Sequence, residues 1–185
     1  MAVDKVLMAV AGILSLVGSL RYIAAVLRGS VHPKWATWLI WGLLDCVILA
    51  GMWLGGKETN WQIILCTIFA WVIFLLACRY GVPGWNRIDQ ICLVGALISI
   101  GLLVPYPQLA LGLSLLATGI GAIPTVASAW EDPAREDAIA WACGTLSSVV
   151  ILIALGVWTF ASAAQPITFL VVNGGIWTIV ALRRR

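Results

Sequence analysis

Apolar side chains occur along this chain in seven blocks, separated by short segments that contain glycine, proline and most of the charged residues. Each block is about twenty residues long, the length that an α-helix needs to cross ~30 Å of hydrocarbon. An open strand would leave its backbone amides unpaired in lipid, so each block predicts a helix. The predicted spans are residues 6–27, 35–54, 61–78, 88–104, 108–130, 138–160 and 166–182, with a break at 161–165 between the last two.

The composition excludes an ordinary soluble domain. Hydrophobic residues make up 62% of the chain and charged residues 10%, against roughly 25% charged residues in a typical soluble domain. The first apolar block continues through Arg21 and Tyr22 to Leu27, which is too long for the core of a typical signal peptide. The sequence therefore predicts an all-α polytopic protein of the lipid bilayer, with the first block kept as a spanning helix.

Basic residues are distributed unequally between the two sets of loops that seven crossings would create. One face holds Lys5 and Lys57. The other face comprises the loops after the first, third and fifth helices and the C-terminus, and it holds Arg28, Lys34, Arg79, Arg87, Arg135, Arg183, Arg184 and Arg185. Because basic loops stay inside, we expect a multi-pass protein of the plasma (inner) membrane with its N-terminus outside and its C-terminus in the cytoplasm.

A shift of 100 residues aligns the first third of the chain with the last third. The aligned identities are Ile23 with Ile123, Val26 with Val126, Pro33 with Pro133, and Trp41 with Trp141. This separation equals three helices plus a linker, so the two copies would run in the same direction. We expect a three-helix bundle in residues 1–80, a linker helix in 81–105 and a second bundle in 106–185. Parallel repeats of this kind are typical of transporters, which bind their substrate at the repeat interface near the midplane.

The stretch at 121–125, Gly-Ala-Ile-Pro-Thr, is followed by a short polar loop and Trp141. It looks like the proline that opens a PQ motif in the first helix of a bundle. With the helix order of three, one and three, the chain resembles the SWEET and PQ-loop superfamily. The chain departs from that pattern at Thr125, where glutamine would be expected, and at Ala24, which aligns with Pro124. The resemblance implies two parallel bundles, joined by an inversion helix, with an external N-terminus.

This resemblance implies a facilitator or proton-coupled carrier for a small polar solute, working by alternating access between the bundles. SWEET-type proteins suggest a sugar. A nucleoside-like solute is the other leading candidate. The PnuC-type transporters of nicotinamide riboside share the layout and use many tryptophans, so a vitamin precursor is an alternative substrate. PQ-loop-like folds also serve as receptors, and a membrane receptor or sensor without transport activity is therefore the alternative.

Asp45 is an acidic residue near the middle of a predicted span. It lies ten residues into the second helix, about 15 Å from the start of that helix, and polar groups at such depth are costly. Arg21 lies about 10 Å from the nearer end of the first helix, and its long side chain could reach Asp45. Such an ion pair would either hold the first bundle together or control a carboxylate that binds a proton or orients a substrate.

Asn173 lies in the last predicted span and is followed by two glycines. It could join two helices through an amide hydrogen bond, since small residues and Asn serve that purpose in membranes. By resemblance, SWEET-type transporters place an Asn on the third helix of each bundle against the sugar, and Asn173 matches that position. In the first bundle, Thr67 is the nearest polar counterpart. Both residues are therefore candidates for substrate contact.

Trp41 and Asp45 are four residues apart and so share one helix face. Trp38 and Trp141 are similarly too deep to be interface anchors only. An aromatic wall beside a polar group suits a ring-shaped solute, although core packing explains Trp38 equally well. Pro124 would bend the fifth helix and could act as a hinge.

Other classes of function have less support. The lysines lie in the first third of the chain, outside the spans, which excludes a retinal protein with a lysine in its last helix. The chain has one His, in a loop, no nucleophile motif, and no Cys pairs with metal-ligand spacing. We therefore expect no enzymatic activity, cofactor or metal. The net charge of +3 suggests no nucleic-acid partner, and assembly into a homo-oligomer is left open.

Overall fold

The computed structural model describes residues 2–55 and 59–183. Three residues of the orientation argument, Lys57, Arg184 and Arg185, lie outside the described residues. Within them the secondary structure is helical, apart from an isolated bridge between Lys34 and Val82. The helices are α1 (Ala2–Leu27), α2 (Trp35–Leu54), α3 (Trp61–Tyr80), α4 (Arg87–Leu102), α5 (Pro107–Gly121), α6 (Ile123–Glu131), α7 (Ala138–Ala154) and α8 (Phe160–Arg183), with a 3₁₀ turn at Pro133–Arg135.

Five segments are long and apolar enough to cross a membrane. They are Val3–Leu27, Trp35–Leu54, Trp61–Tyr80, Pro107–Glu131 and Phe160–Arg183, and α7 is a shorter apolar helix. In the first and last of these segments, 28% of the most apolar stretch is buried. Large apolar side chains such as Leu75, Ile153 and Val171 point outward from the molecule. An apolar outer surface of this extent is compatible with a multi-pass membrane protein.

The predicted boundary between the last two spans is wrong. α7 ends at Ala154 rather than at residue 160, and residues 161–165 belong to α8. Thr159 and Ser162 start α8, because the Thr159 amide donates to Ser162 Oγ at 3.0 Å and the Ser162 amide to Thr159 Oγ1 at 3.3 Å. Pro166 was expected near the helix start, where its missing N–H is tolerated, but it lies inside α8.

The predicted fifth span is a broken helix. α5 ends at Gly121 and α6 begins at Ile123. Pro124 occupies the first turn of α6. Backbone N–H groups in the first turn have no partner within the helix, so a proline, which lacks this group, is tolerated there. The discontinuity therefore comes just before the proline. Whether Pro124 acts as a hinge stays a prediction.

The neighbours of each helix follow one pattern. α3 packs against both α1 and α2, and α8 packs against both α7 and the α5–α6 pair. Between these groups, α1 packs along α7 and α2 along α5, while α4 lies against α5 and α2. At Gly18, α1 approaches α7 so closely that a Cβ would lie 2.9 Å from Cys143 Cβ. Small residues permit such approach between membrane helices.

Contacts between loops gather the basic segments at one end of the molecule. The Val82 amide donates to the Pro33 carbonyl at 3.0 Å, which joins the loops after α1 and α3. The Lys34 ammonium pairs with Asp89 at the start of α4. The Arg183 guanidinium lies 4.3 Å from the centre of the Trp130 ring, so α6 and α8 end together. The loops that the sequence assigned to one face are thus neighbours, and the side of the membrane that they face stays a prediction.

The junction of these loops depends on Gly81. A Cβ at this position would lie 2.2 Å from the Pro33 carbonyl oxygen and 2.5 Å from that of Ala77. We expect Gly81→Ala to lower the free energy of unfolding by about 1–3 kcal/mol, because backbone must move to admit the methyl group. The measurement is reversible unfolding in detergent micelles.

Gly101 provides the matched control. It lies in α4, and a Cβ there would meet no atom within 4 Å. Gly101→Ala should leave stability unchanged or raise it slightly, since alanine favours a helix. Equal effects of the two substitutions would contradict the proposed close contact at Gly81.

Candidate functional site

A cavity of about 120 Å³ lies where α1, α2 and α3 meet α7 and α8. This volume exceeds what a single water requires and suits one small solute. Apolar groups form most of its wall. Its aromatic and polar side chains are Ser15, Ser19, Tyr22, Trp38, Trp41, Asp45, Cys66, Phe69, Thr118, Trp141, Phe169 and Asn173.

Four of the residues proposed for contact with a solute lie around this one cavity. They are Trp41, Asp45, Trp141 and Asn173, from α2, α7 and α8. Trp41 and Trp141, which the 100-residue shift aligns, face it from different halves of the chain. The tertiary structure therefore brings together residues that are as much as 132 positions apart in the sequence (173 − 41).

Two other predicted residues do not line the cavity. The Thr67 hydroxyl donates to the Ile63 carbonyl of its own helix at 2.7 Å, and the neighbouring Cys66 faces the cavity instead. Pro124 belongs to α6, whereas the cavity is reached by Thr118 of the preceding helix, α5. Substrate contact by Thr67 is not supported by this geometry.

The expected ion pair between Arg21 and Asp45 is not formed. Arg21 Nε donates to Asp137 Oδ1 at 2.8 Å. The same Asp137 oxygen accepts the Ala140 amide at 2.9 Å and so caps the start of α7. Arg21 meets Asp137 rather than Asp45 because α1 packs along α7, which puts the start of α7 within reach of Arg21.

Asp45 consequently faces the cavity without an ion-pair or hydrogen-bond partner among the described residues. Only 5% of the residue is exposed. A buried carboxylate without a partner is costly in a medium of low dielectric constant. Asp45 is therefore the strongest candidate in the cavity for contact with a solute or a proton.

Four aromatic rings lie together in the wall of the cavity, and we call them the aromatic cluster: Tyr22, Trp38, Trp41 and Trp141. The centre of the Tyr22 ring lies 5.1 Å from that of Trp38 and 5.9 Å from that of Trp141. Trp41 lies 5.3 Å from Trp38 and 6.3 Å from Trp141. Tilted and edge-to-face contacts at these distances are favourable, so the cluster ties α1, α2 and α7 together.

The two aligned tryptophans differ in their indole N–H groups. Trp141 Nε1 donates to Glu136 Oε2 at 2.8 Å. Trp41 Nε1 is buried without a hydrogen-bond partner, next to the place where a Cβ on Gly121 would lie. Buried polar groups without partners are rare, and this one lies beside the break between α5 and α6.

A second group of contacts was missed by sequence reasoning, and we call it the amide cluster: Asn60, Gln62, Ser148 and Gln165. Asn60 Nδ2 donates to Gln165 Oε1 at 2.8 Å, and Gln165 Nε2 donates to Gln62 Oε1 at 3.0 Å. Gln62 Nε2 then donates to Ser148 Oγ at 2.9 Å. All four residues are buried. The chain of hydrogen bonds joins α3 to both α7 and α8.

The amide cluster lies at the end of the cavity opposite the aromatic cluster. Along α3, Asn60 and Gln62 precede Cys66 and Phe69, which line the cavity. Beyond the amide cluster is a second, wider depression. It is lined by Asp4, Lys5, Met8, Met52, Thr59, Asn60, Trp61, Ile151, Ala154, Leu155, Gly156 and Ser162. The amide cluster thus stands between this depression and the cavity.

Two features of the sequence concealed the amide cluster. Gln165 fell in the predicted break, where a polar residue needs no explanation, and Asn60 and Gln62 flank the start of a predicted span. In the structure Asn60 also caps α3 by accepting the Ile63 amide at 3.0 Å. The available signal was Gln62, an amide only two residues inside an apolar block.

Comparison of the chain with protein-family models, with curated proteins and with solved structures gave no match. Within the described residues, no group of three or more His, Cys, Asp and Glu side chains is placed to hold a metal ion. The interpretation of the site therefore depends on its own geometry.

The amide cluster predicts non-additive effects of substitution. Gln165→Met should lower the free energy of unfolding by about 1–3 kcal/mol, because it removes the hydrogen-bond partner of Asn60 Nδ2 and of Gln62 Oε1 in the protein interior. The double variant Gln62→Met/Gln165→Met should lose clearly less than the sum of the two single effects. Unfolding in detergent of the three variants and the parent measures the coupling.

Gln90→Met is the control, since Gln90 is exposed on α4. It should change stability by less than about 0.5 kcal/mol. Strict additivity of the Gln62 and Gln165 substitutions would contradict a shared hydrogen-bond network.

Proposed function

We propose that this protein is a membrane carrier that moves a small polar solute by alternating access. The observation that supports the proposal is the position of the cavity. It lies between two layers of side chains, the aromatic cluster and the amide cluster, and each layer joins helices from the first half of the chain to helices from the second half. A carrier needs such a site, which can be closed at either end.

The proposed architecture has two parallel bundles of three helices, α1 to α3 and α5 to α8, with α4 as the linker. In this arrangement α5 and α6 together form one crossing, and the chain crosses the membrane seven times. Helix packing supports it: the third helix of each group contacts the other two, and α1 with α7 and α2 with α5 form equivalent interfaces. The resemblance to the SWEET and PQ-loop superfamily predicts the same order.

Alternating access would open one layer while the other stays closed. At one end, the Arg21–Asp137 pair adds to the aromatic cluster in holding α1 to α7. At the other end, the amide cluster is made of neutral hydrogen bonds, each worth about 1 kcal/mol net. If the contacts at each end contribute a few kcal/mol, the outward-open and inward-open states can both be populated. A solute could shift this equilibrium by binding one state more tightly. The break before Pro124 is the proposed hinge.

The proposed orientation follows from the basic residues. We place the protein in the plasma membrane with its N-terminus outside. The amide cluster then faces the exterior, and the aromatic cluster faces the cytoplasm. The basic end, with Arg28, Lys34 and Arg183, would then lie on the cytoplasmic side, as the positive-inside rule requires.

The proposed solute is a small ring-shaped molecule such as a sugar, a nucleoside or a vitamin precursor. Trp41 and Trp141 would contact the ring, Asp45 would accept hydrogen bonds from it, and Asn173 would add an amide contact. Asn173 already lies against α7, where a Cβ on Gly144 would come within 2.9 Å of its Nδ2. Asp45 is also the residue at which proton coupling would act.

Uptake into proteoliposomes tests the proposal. We expect the purified protein to accelerate uptake of at least one solute from a panel of hexoses, nucleosides and vitamin precursors. Asn173→Ala should lower uptake about threefold to tenfold, the effect of one lost hydrogen bond to the solute. Asp45→Asn should lower it at least as much. Thr67→Val is the control and should leave uptake unchanged, because Thr67 does not line the cavity.

Thermal stability of the same proteins, measured with each panel member, separates the two candidate classes. A solute that stabilises the protein but never crosses the vesicle membrane would replace the carrier by a receptor or sensor. Uptake that is unaffected by both cavity substitutions would place the site elsewhere.

A further inference from the structure

The cavity lining contains an acidic side chain but no basic one among the described residues. Asp45 is the only acidic residue in the described part of this lining, which holds no Lys, Arg or His. The nearest predicted counter-ion, Arg21, is engaged by Asp137. A carboxylate that is 5% exposed and has no cationic partner is stabilised strongly by a positive charge brought by a ligand.

The aromatic cluster adds to this preference. The faces of aromatic rings carry partial negative charge and attract cations, more strongly when water is excluded. Tyr22, Trp38, Trp41 and Trp141 all line the cavity, and their mutual angles, from 46° to 81°, present ring faces in several directions. The wall therefore attracts the same sign of charge as Asp45 does.

The remaining polar groups are too few for a neutral solute with many hydroxyls. The Thr118 hydroxyl is used by the Ser114 carbonyl at 2.9 Å, and the Ser15 hydroxyl lies 3.8 Å from Cys66 Sγ. Among the described residues, Asn173, Ser19 and the Trp41 N–H are left, in the same lining as Asp45. Each hydroxyl of a sugar that enters without a partner loses its hydrogen bonds to water, so such a ligand would be poorly compensated here.

We infer that the cavity binds an organic cation, a small solute with a positive charge on or next to a flat ring, in which Asp45 and the aromatic cluster compensate the charge. This inference rests on the proposed carrier function and narrows its substrate class. It assigns Asp45 to charge selection and leaves Asn173 to position the neutral part of the solute. The cavity volume of about 120 Å³ limits the ligand to about one ring with short substituents.

A pair of isosteric probes tests the inference on the purified full-length protein in lipid nanodiscs. The cation is 4-(hydroxymethyl)-1-methylpyridinium, and its neutral isostere is 4-methylbenzyl alcohol. Binding is measured by calorimetry and by the change in tryptophan fluorescence. We expect the cation to bind at least about tenfold more tightly than the alcohol, and this preference to fall by at least about threefold in Asp45→Asn, which keeps only the attraction of the aromatic rings.

Two further variants separate charge from shape and folding. Asp45→Glu keeps the charge and should retain a preference for the cation. Glu131→Gln removes an exposed carboxylate at the end of α6 and should leave the preference unchanged. The comparison of the two probes on the unmodified protein does not depend on any variant and so holds even if one fails to fold.

Equal binding of both probes by the parent would overturn the inference and leave the carrier proposal in place. The same applies if neither probe binds while the solute panel still yields transport. A cation preference that is undiminished in folded Asp45→Asn would also overturn it, because Asp45 would then take no part in selecting the charge. The carrier proposal fails separately, if no member of the panel, charged or neutral, is transported.

Discussion

The close packing of α1 along α7 is the contact on which the rest of the structure depends. Gly18 permits it, because a side chain there would collide with Cys143 and with the backbone at Ala140. Once α1 lies on α7, Arg21 meets Asp137 and Tyr22 meets Trp141. Asp45 then remains without a counter-ion. One helix contact thus decides which charges are neutralised inside the protein and which stays available to a ligand.

The helices around the cavity are joined at its two ends by different kinds of interaction. Aromatic rings and one ion pair join them at the basic end, whereas neutral amides join them at the other end. Hydrogen bonds between amides can be exchanged for bonds to water at little net cost, and a wider depression lies beside the amide cluster. The aromatic contacts lose apolar burial when they separate. In the proposed carrier, the amide end is therefore expected to open more easily than the aromatic end.

The positions that the 100-residue shift aligns differ where they matter for the proposed chemistry. Trp41 and Trp141 line the cavity together, but the Trp141 N–H is bonded to Glu136, whereas the Trp41 N–H has no partner. Asp45 corresponds to Thr145, whose hydroxyl donates to the Trp141 carbonyl at 2.8 Å. Charge is therefore present on one side of the cavity only, which would orient a ligand that carries charge at one end.

Sequence alone determined the helical class and most helix positions, and it predicted the depth of the candidate residues. These follow from local physics: apolar length matches the bilayer, and a rise of 1.5 Å per residue sets the depth of Trp41, Asp45, Trp141 and Asn173. Only the tertiary structure decided the partner of Arg21, the amide cluster and the limits of α7 and α8. Lipid-facing helices are apolar on every side, so their composition does not reveal which neighbour each one chooses. That choice decides which polar groups meet, and here it left Asp45 facing the cavity.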